Sequence, residues 1–422
     1  MNRHFETLVE RLSTVLYAAP TRLGPVTKGG APSPRLSESQ RAVVRGMLHE
    51  AMRNGIMEDA IGSEFEEKRP GSGSTAEVVA FITQPLRVVM KQDSSRKLVR
   101  EAQMLQFAAL REDIPATTKR AIPRIYALKD DEAPYAYLMR EFTGYTNLAD
   151  LLVAHQSDDA LCLAMARQAL GPLLDAYEAT ARNASLPLVP NFDIIHLQRF
   201  ERLRQAAEHE HDELGALLRQ QCSINGQTYP SFVESFTWLE RNWRTVRERL
   251  TPEFCTFVHG DPNPENLLLR EEVARPVDEW EVGLIDPKEW GNGDYVFDFA
   301  KITHYLNVTW AVERAKCATH DLVRSAGSWS LTYDLGLPRA VRQVVSSMET
   351  ALRDFASGPS RSGSSILDPT WSLRYDLSLA SNLLGLPDGR FRMGRVDAAV
   401  VMLAAGLEAL AVFRTRFERF IS

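Results

Sequence analysis

The stretch FVHGDPNPENLLLR, residues 257–270, sets His259, Asp261, Asn263, Glu265 and Asn266 between an apolar pair and three leucines. A plain turn between strands needs fewer polar groups, and a solvated loop has no use for flanks this apolar. Polar side chains at this density are expected to face a ligand or one another. Working outward, VGLIDPKEWGNGDYVFDFAK (282–301) puts Asp286 at the end of a second apolar run, with Asp294 and Asp298 beyond it. The two segments read together as a hairpin that presents Asp261, Asn266 and Asp286 at one edge. The plain alternative is an Asx-turn network in which Asp261 and Asn266 serve only the backbone.

That trio has a chemical use. Magnesium takes hard oxygen ligands, commonly one or two carboxylates together with nucleotide phosphates. Asn266 and Asp286 would supply an amide oxygen and a carboxylate, and Asp261 would orient an acceptor hydroxyl and take its proton. Phosphoryl transfer asks for little beyond positioning and charge neutralisation. A phosphate cradle and a cation are then expected upstream. GSGST (71–75) is a Gly-rich turn between β-runs, able to offer N–H groups to phosphates or simply to close a hairpin. LRVVMK ends a strand on Lys91, and REAQML puts Glu101 on the following helix, where it could pair with that lysine. A solvated edge lysine and a solvated helix face are the alternatives for these two.

The order Gly loop, strand Lys, helix Glu, Asp-xxxx-Asn, strand-end Asp is that of a kinase. The chain resembles the aminoglycoside phosphotransferase / choline kinase-like family, the small-molecule branch of the protein-kinase-like fold. HGDPNPENLLL matches the family's His-Gly-Asp-xxxx-Asn loop, and LIDPKEWGNGDYVFDFA matches its Ile-Asp…Gly-Asp-xxx-Asp-(Leu/Phe)-Ala segment. The resemblance implies an α+β, two-lobed fold with a small antiparallel-sheet N-lobe and a large, mainly helical C-lobe. It implies Asp261 as catalytic base and Asn266 and Asp286 as Mg2+ ligands. Gly71, Ser72, Gly73 and Ser74 would line the phosphates, Lys91 would hold them, and Glu101 would orient Lys91. Arg140, Glu141 and Phe142 would form the hinge that meets the nucleobase through its backbone. His259 would brace the loop, and Asp294 and Asp298 would hold their segment's fold. The implied donor is ATP or GTP; the implied acceptor is a hydroxyl of a sugar, an aminoglycoside-like compound or an amino alcohol. Pro287 follows Asp286 and no Ala-Pro-Glu segment lies downstream, which counts against a protein kinase. An inactive nucleotide-binding scaffold stays open.

The remaining sequence bounds this reading. At 422 residues, 44% hydrophobic and 25% charged, the composition is that of a globular protein with a sizeable core. A net charge of −6 argues against a general nucleic-acid binder and does not oppose a cationic substrate. Cys162, Cys222, Cys255 and Cys317 are scattered without metal-ligand spacing and read as reduced thiols. No run reaches the roughly 18 apolar residues of a membrane span, and the N-terminus lacks a signal-peptide core, so no membrane partner and a cytoplasmic location are expected. The expected domains are a helical extension over 1–60, with a helix over 5–17 and an arm over 19–36, an N-lobe over 61–142 and a C-lobe over 143–422. Helical stretches are expected over 146–183, 195–221, 230–250 and from 296 onward, with CTFVHG and VGLIDP as the β-runs among them. His209 and His211 read as a solvated helix face, and 357–369 as a loop.

Overall fold

The computed structural model describes residues 38–53, 66–68, 77–82, 87–140, 142, 144–183, 192–208, 213–288, 291–358 and 367–422. The expectations for residues 5–17 and 19–36, for Gly71, Ser72, Gly73, Ser74 and Glu141, for His209 and His211, and for most of the loop 357–369 lie outside the described residues. The chain divides into two compact units.

One unit takes the described residues up to Arg111 together with Ile122–Gly144. Its sheet has the order β1-β2-β3-β5-β4. The strands are β1 (Glu66–Lys68), β2 (Glu77–Ile82), β3 (Arg87–Asp93), β4 (Ile125–Lys129) and β5 (Tyr135–Arg140), and every pairing is antiparallel. After β3 the Asp93 carboxylate accepts from the Ser95 N–H at 2.9 Å, and the helix Lys97–Leu110 begins. That helix buries Leu98, Val99, Ala102, Leu105 and Ala108, the i, i+3, i+4 stripe of a helix laid on a sheet. The helix Glu38–Arg53 packs against β4 and buries Val44, Met47 and Leu48.

The other unit takes Glu112–Ala121 with Tyr145–Ser422 and is mainly helical. The short helix Ala116–Ala121 is tied into it by Thr118, whose hydroxyl donates to the Pro172 carbonyl at 2.6 Å. Phe200, Phe232, Phe236, Leu239, Leu377 and Phe413 belong to one core cluster built from several helices. Each such side chain contributes about 1.5–3 kcal/mol by leaving water. Ser231 and Glu234 close a capping box that starts the helix Phe232–Leu250.

Three small sheets interrupt the helices. β6 (Tyr145–Asn147), β11 (Leu267–Arg270) and β12 (Glu281–Leu284) form one. β7 (Arg182–Asn183), β10 (Phe254–Val258) and β13 (Gly291–Gly293) form another. The hairpin expected between segments 257–270 and 282–301 is present as β11–β12. The β-run CTFVHG holds β10, which pairs with β7 and β13 in a separate sheet. Pro262 and Pro264 cannot donate to a ladder, so the chain leaves the sheet after β10 and pairs again at Leu267.

The third sheet corrects the helical reading around 221 and after 296. β8 (Gln221–Ile224), β9 (Gln227–Tyr229), β14 (Thr319–Ser325) and β15 (Ser328–Asp334) run in the order β14-β15-β8-β9. The β8–β9 turn is Asn225-Gly226, both at positive φ, the pair that a two-residue hairpin favours. One helix is nonetheless long and apolar enough by composition to cross a membrane, although Glu408 interrupts its apolar run. The helix Val396–Ile421 has the length and a mean hydropathy of 2.0 over its best window, and here 67% of that window is buried. It crosses the helix Trp371–Leu384 at Gly406, where a Cβ would meet Leu384 Cγ at 2.6 Å and Leu384 N at 3.2 Å. Gly406→Val should therefore lower the unfolding free energy by about 1–3 kcal/mol through overpacking, read as a lower urea midpoint at unchanged slope. An unchanged midpoint would mean that the crossing has slack.

Candidate active site

In the first unit, Lys91 on β3 lies directly opposite Tyr137 on β5. Opposite residues in an antiparallel pair share a face, here the face covered by the helix Lys97–Leu110. Lys91 Nζ meets Glu101 Oε1 at 2.8 Å and Oε2 at 3.0 Å, and the Tyr137 hydroxyl donates to Oε1 at 2.7 Å. Lys91 is only 5% exposed, so it is a paired, buried lysine and not a solvated edge residue. Arg140 ends β5 with its guanidinium over the Phe142 ring. Its N–H donates to the Arg124 carbonyl at 2.9 Å, so that group is not the hinge donor to a nucleobase.

In the second unit, the Asp261 loop is held from beneath by Asp298. The two carboxylate oxygens of Asp298 accept the N–H groups of His259 at 2.7 Å and Gly260 at 2.8 Å, and Tyr177 donates its hydroxyl at 2.9 Å. Burial pushes the Asp298 carboxyl up to about 7, against those three donors. Asp298 stands on the first turn of the helix Tyr295–His304, which Asp294 caps by accepting from Val296 N–H. Asp294 is in turn bound by the fully buried Arg374, which also grips Asp368. His259 is buried and neutral: burial lowers its pKa to about 4, while Asp261 and Asp286 pull the other way.

Asp261 sits between two ammonium groups. Lys301 Nζ is 3.0 Å from Oδ1, and Lys288 Nζ contacts Oδ2. Burial alone would raise this carboxyl, but the charges of Lys301 and Lys288 overcome it and hold Asp261 well below the usual carboxylate range. Burial lowers Lys301 to about 8, against the pull of Asp261. Neither lysine was among the expected site residues. Their signals were present: Lys301 lies one helical turn past Asp298, and Lys288 lies two residues past Asp286 and donates its N–H to the His259 carbonyl at 3.1 Å.

Asn266 and Asp286 meet at the end of the β11–β12 hairpin. Leu267 pairs with Leu284, and Ile285 N–H donates to the Asn266 carbonyl at 3.1 Å. The Asn266 amide donates through Nδ2 to the Asp261 carbonyl at 2.8 Å, which orients its Oδ1 away as an acceptor. Asp286 has φ +55°, a left-handed conformation that Asp tolerates better than most residues and that recurs at ligand sites. A carboxylate and an amide oxygen, on backbone positions brought together by this pairing, are hard donors of the type Mg2+ takes, its shell being completed by phosphates and water. Among the described residues no group of three or more His, Cys, Asp or Glu could hold a metal as a protein-only cage.

The model of the phosphotransferase enzyme family (APH) matches residues 66–319. The chain belongs to this family. Both motif segments and the Lys91–Glu101 pair of the phosphotransferase fall inside the matched span, and its fold is of the α+β, kinase-like class. Comparison with curated proteins gave no match. Similar solved structures include a thermostable mutant of aminoglycoside phosphotransferase APH(4)-Ia in ternary complex with AMP-PNP and hygromycin B. It is 13% identical, with a TM-score of 0.49, covering 83% of this phosphotransferase and 95% of that chain. A choline kinase from Cryptosporidium parvum Iowa II is 11% identical with a TM-score of 0.40, covering 89% and 96%.

The buried Lys301 gives this phosphotransferase a pH signature. Its folded pKa of about 8 lies below the ordinary lysine value of about 10.4. Between those values the unfolded chain binds more protons, so stability rises with pH there. The urea midpoint of wild type, relative to Lys301→Met, should increase from about pH 7 to about pH 9.5. A difference that stays flat or falls would mean that the ammonium is not destabilised by its burial.

Proposed function

We propose that this phosphotransferase is a small-molecule kinase that moves the γ-phosphate of ATP to an alcohol hydroxyl. The observation that carries this reading is Asp261. It is an ionised carboxylate locked between Lys288 and Lys301, on the loop that also carries Asn266 beside Asp286. In the step, the acceptor O–H bond breaks and its oxygen bonds to the γ-phosphorus. The bond from that phosphorus to the β–γ bridging oxygen breaks, and ADP leaves with the bonding pair. Asp261 orients the hydroxyl and receives its proton.

A carboxylate held at so low a pKa is a weak base. The loose transition state of phosphoryl transfer makes this acceptable, because the proton leaves late and alignment matters more than basicity. Asn266 and Asp286 would hold Mg2+, which would neutralise phosphate charge. Lys91, kept extended by Glu101 and Tyr137, would bind the nucleotide phosphates. Asp298 acts through the backbone it grips and sets where the Asp261 carboxylate stands.

Asp261→Asn should reduce kcat by about 10²–10⁴-fold while the stabilisation by Mg2+·ATP in a thermal-shift titration survives. Asp286→Ala should abolish that stabilisation itself. Full turnover in Asp261→Asn would remove the base from the scheme. A wild type that no nucleotide stabilises would replace the kinase with an inactive scaffold.

A further inference from the structure

The two oxygens of Asp261 are not held alike. Oδ1 takes the Lys301 ammonium at 3.0 Å and the Asn263 side-chain N–H at 2.9 Å, which fills its two lone-pair sites. Lys301 is buried with Asp261, and the helix Tyr295–His304 fixes where it starts. Among the described residues, Oδ2 takes Lys288 alone, and the Lys288 side chain is 62% exposed. Asp261 carries one negative charge and faces two ammonium groups, so Lys301 by itself balances it. The Lys288 contact is therefore surplus. An exposed lysine pair is weak, because solvent screens it and the four-carbon stem stays mobile. The Lys288 backbone, by contrast, is anchored: its N–H donates to the His259 carbonyl at 3.1 Å, two residues past Asp286. Its side chain borders a cavity of about 130 Å³ together with Gly260, Ile195 and Phe297, so the ammonium is not packed in.

We propose that Lys288 is a catalytic residue that releases Asp261 Oδ2 when nucleotide binds and carries its ammonium to the γ-phosphoryl oxygens. The proposal rests on the kinase reading of Asp261 above. The reaction itself brings the two places together. The acceptor oxygen must stand about 2.6–3.2 Å from the carboxylate that takes its proton and about 3–3.5 Å from the phosphorus it attacks. The phosphorus then lies no more than about 7 Å from Oδ2, within the swing of a lysine stem whose backbone stays fixed. With Oδ1 filled by its two donors, Oδ2 is the oxygen left to receive the proton. The departure of Lys288 opens that oxygen to the acceptor hydroxyl, so nucleotide arrival and readiness of the base become one event. No proton changes hands in the move: Lys288 stays an ammonium and exchanges a carboxylate contact for phosphoryl contacts. There it offsets the charge spread over the transferring group. Asp261 keeps Lys301, so the buried carboxylate is never left unpaired.

The test uses the full-length protein in calorimetric titrations with Mg2+·ADP and with Mg2+·AMP-PNP, whose γ-phosphoryl group stays in place. Lys288→Met should weaken AMP-PNP binding by about tenfold or more and change ADP binding by less than about twofold. Lys288→Arg should keep most of the AMP-PNP affinity. A lysine that merely braces the loop would move both nucleotides or neither. Asp261→Asn should tighten AMP-PNP relative to ADP, and by more with Lys288 present than in the Lys288→Met background, because a contact is released in the first case alone. The proposal is overturned if Lys288→Met affects the two nucleotides alike, or if Asp261→Asn has the same effect in both backgrounds. A wild type that binds neither nucleotide removes the kinase reading and this proposal with it. ADP binding that is lost in Asp286→Ala upholds the kinase reading whatever Lys288 does, so the two failures are separable.

Discussion

The carboxylate of Asp298, accepting the N–H groups of His259 and Gly260, is the contact on which the site geometry depends. A loop that carries Asp261 away from β10 leaves two N–H groups without ladder partners, and buried N–H groups left unsatisfied cost about 1–3 kcal/mol each. Asp298 satisfies both at once, and in doing so it converts the position of a helix into the position of a loop. The same helix, one turn later, delivers Lys301 to Asp261. Support and electrostatics of the Asp261 carboxylate therefore come from one rigid element, whose N-terminus Asp294 and Arg374 hold fixed.

A second constraint governs Asn266 and Asp286. Asn266 and Asp286 are far apart along the chain and adjacent in space because β11 and β12 pair from Leu267 to Leu284. The Asn266 amide also spans to the Asp261 carbonyl. A shift in the hairpin register would move Asp286 and the loop of Asp261 together. The site behaves as a single hydrogen-bonded frame in which the polar residues of 257–270 bind one another as well as ligands.

Much of this was legible in the sequence because the chemistry is concentrated in two short segments. Asp261, Asn266 and Asp286 could be picked out by residue type and spacing, and the Lys91–Glu101 pair by strand and helix position. What escaped was tertiary. Lys301 reads as an ordinary amphipathic-helix residue until the fold brings it to Asp261. The β8–β9 hairpin was overrun by helical periodicity on both sides, although Asn225-Gly226 marks its turn. The pairing of β10 with β7 and β13 also escaped, because alternation alone cannot say which of several short strands will pair.

Arg374 carries a consequence for how such a sequence can change. It is fully buried with two carboxylates, Asp294 and Asp368, and Tyr295 donates its hydroxyl to the second. Losing any one charged member strands the others in a medium of low polarity, at a cost of about 3–5 kcal/mol. That is a large part of the whole stability of a typical domain. These positions can therefore be exchanged only in concert, and no single-step substitution path leads away from the present trio. The capping aspartate of the site helix is held in place as much by this lock as by its own hydrogen bond. The lock makes the neighbourhood of Asp261 slow to drift.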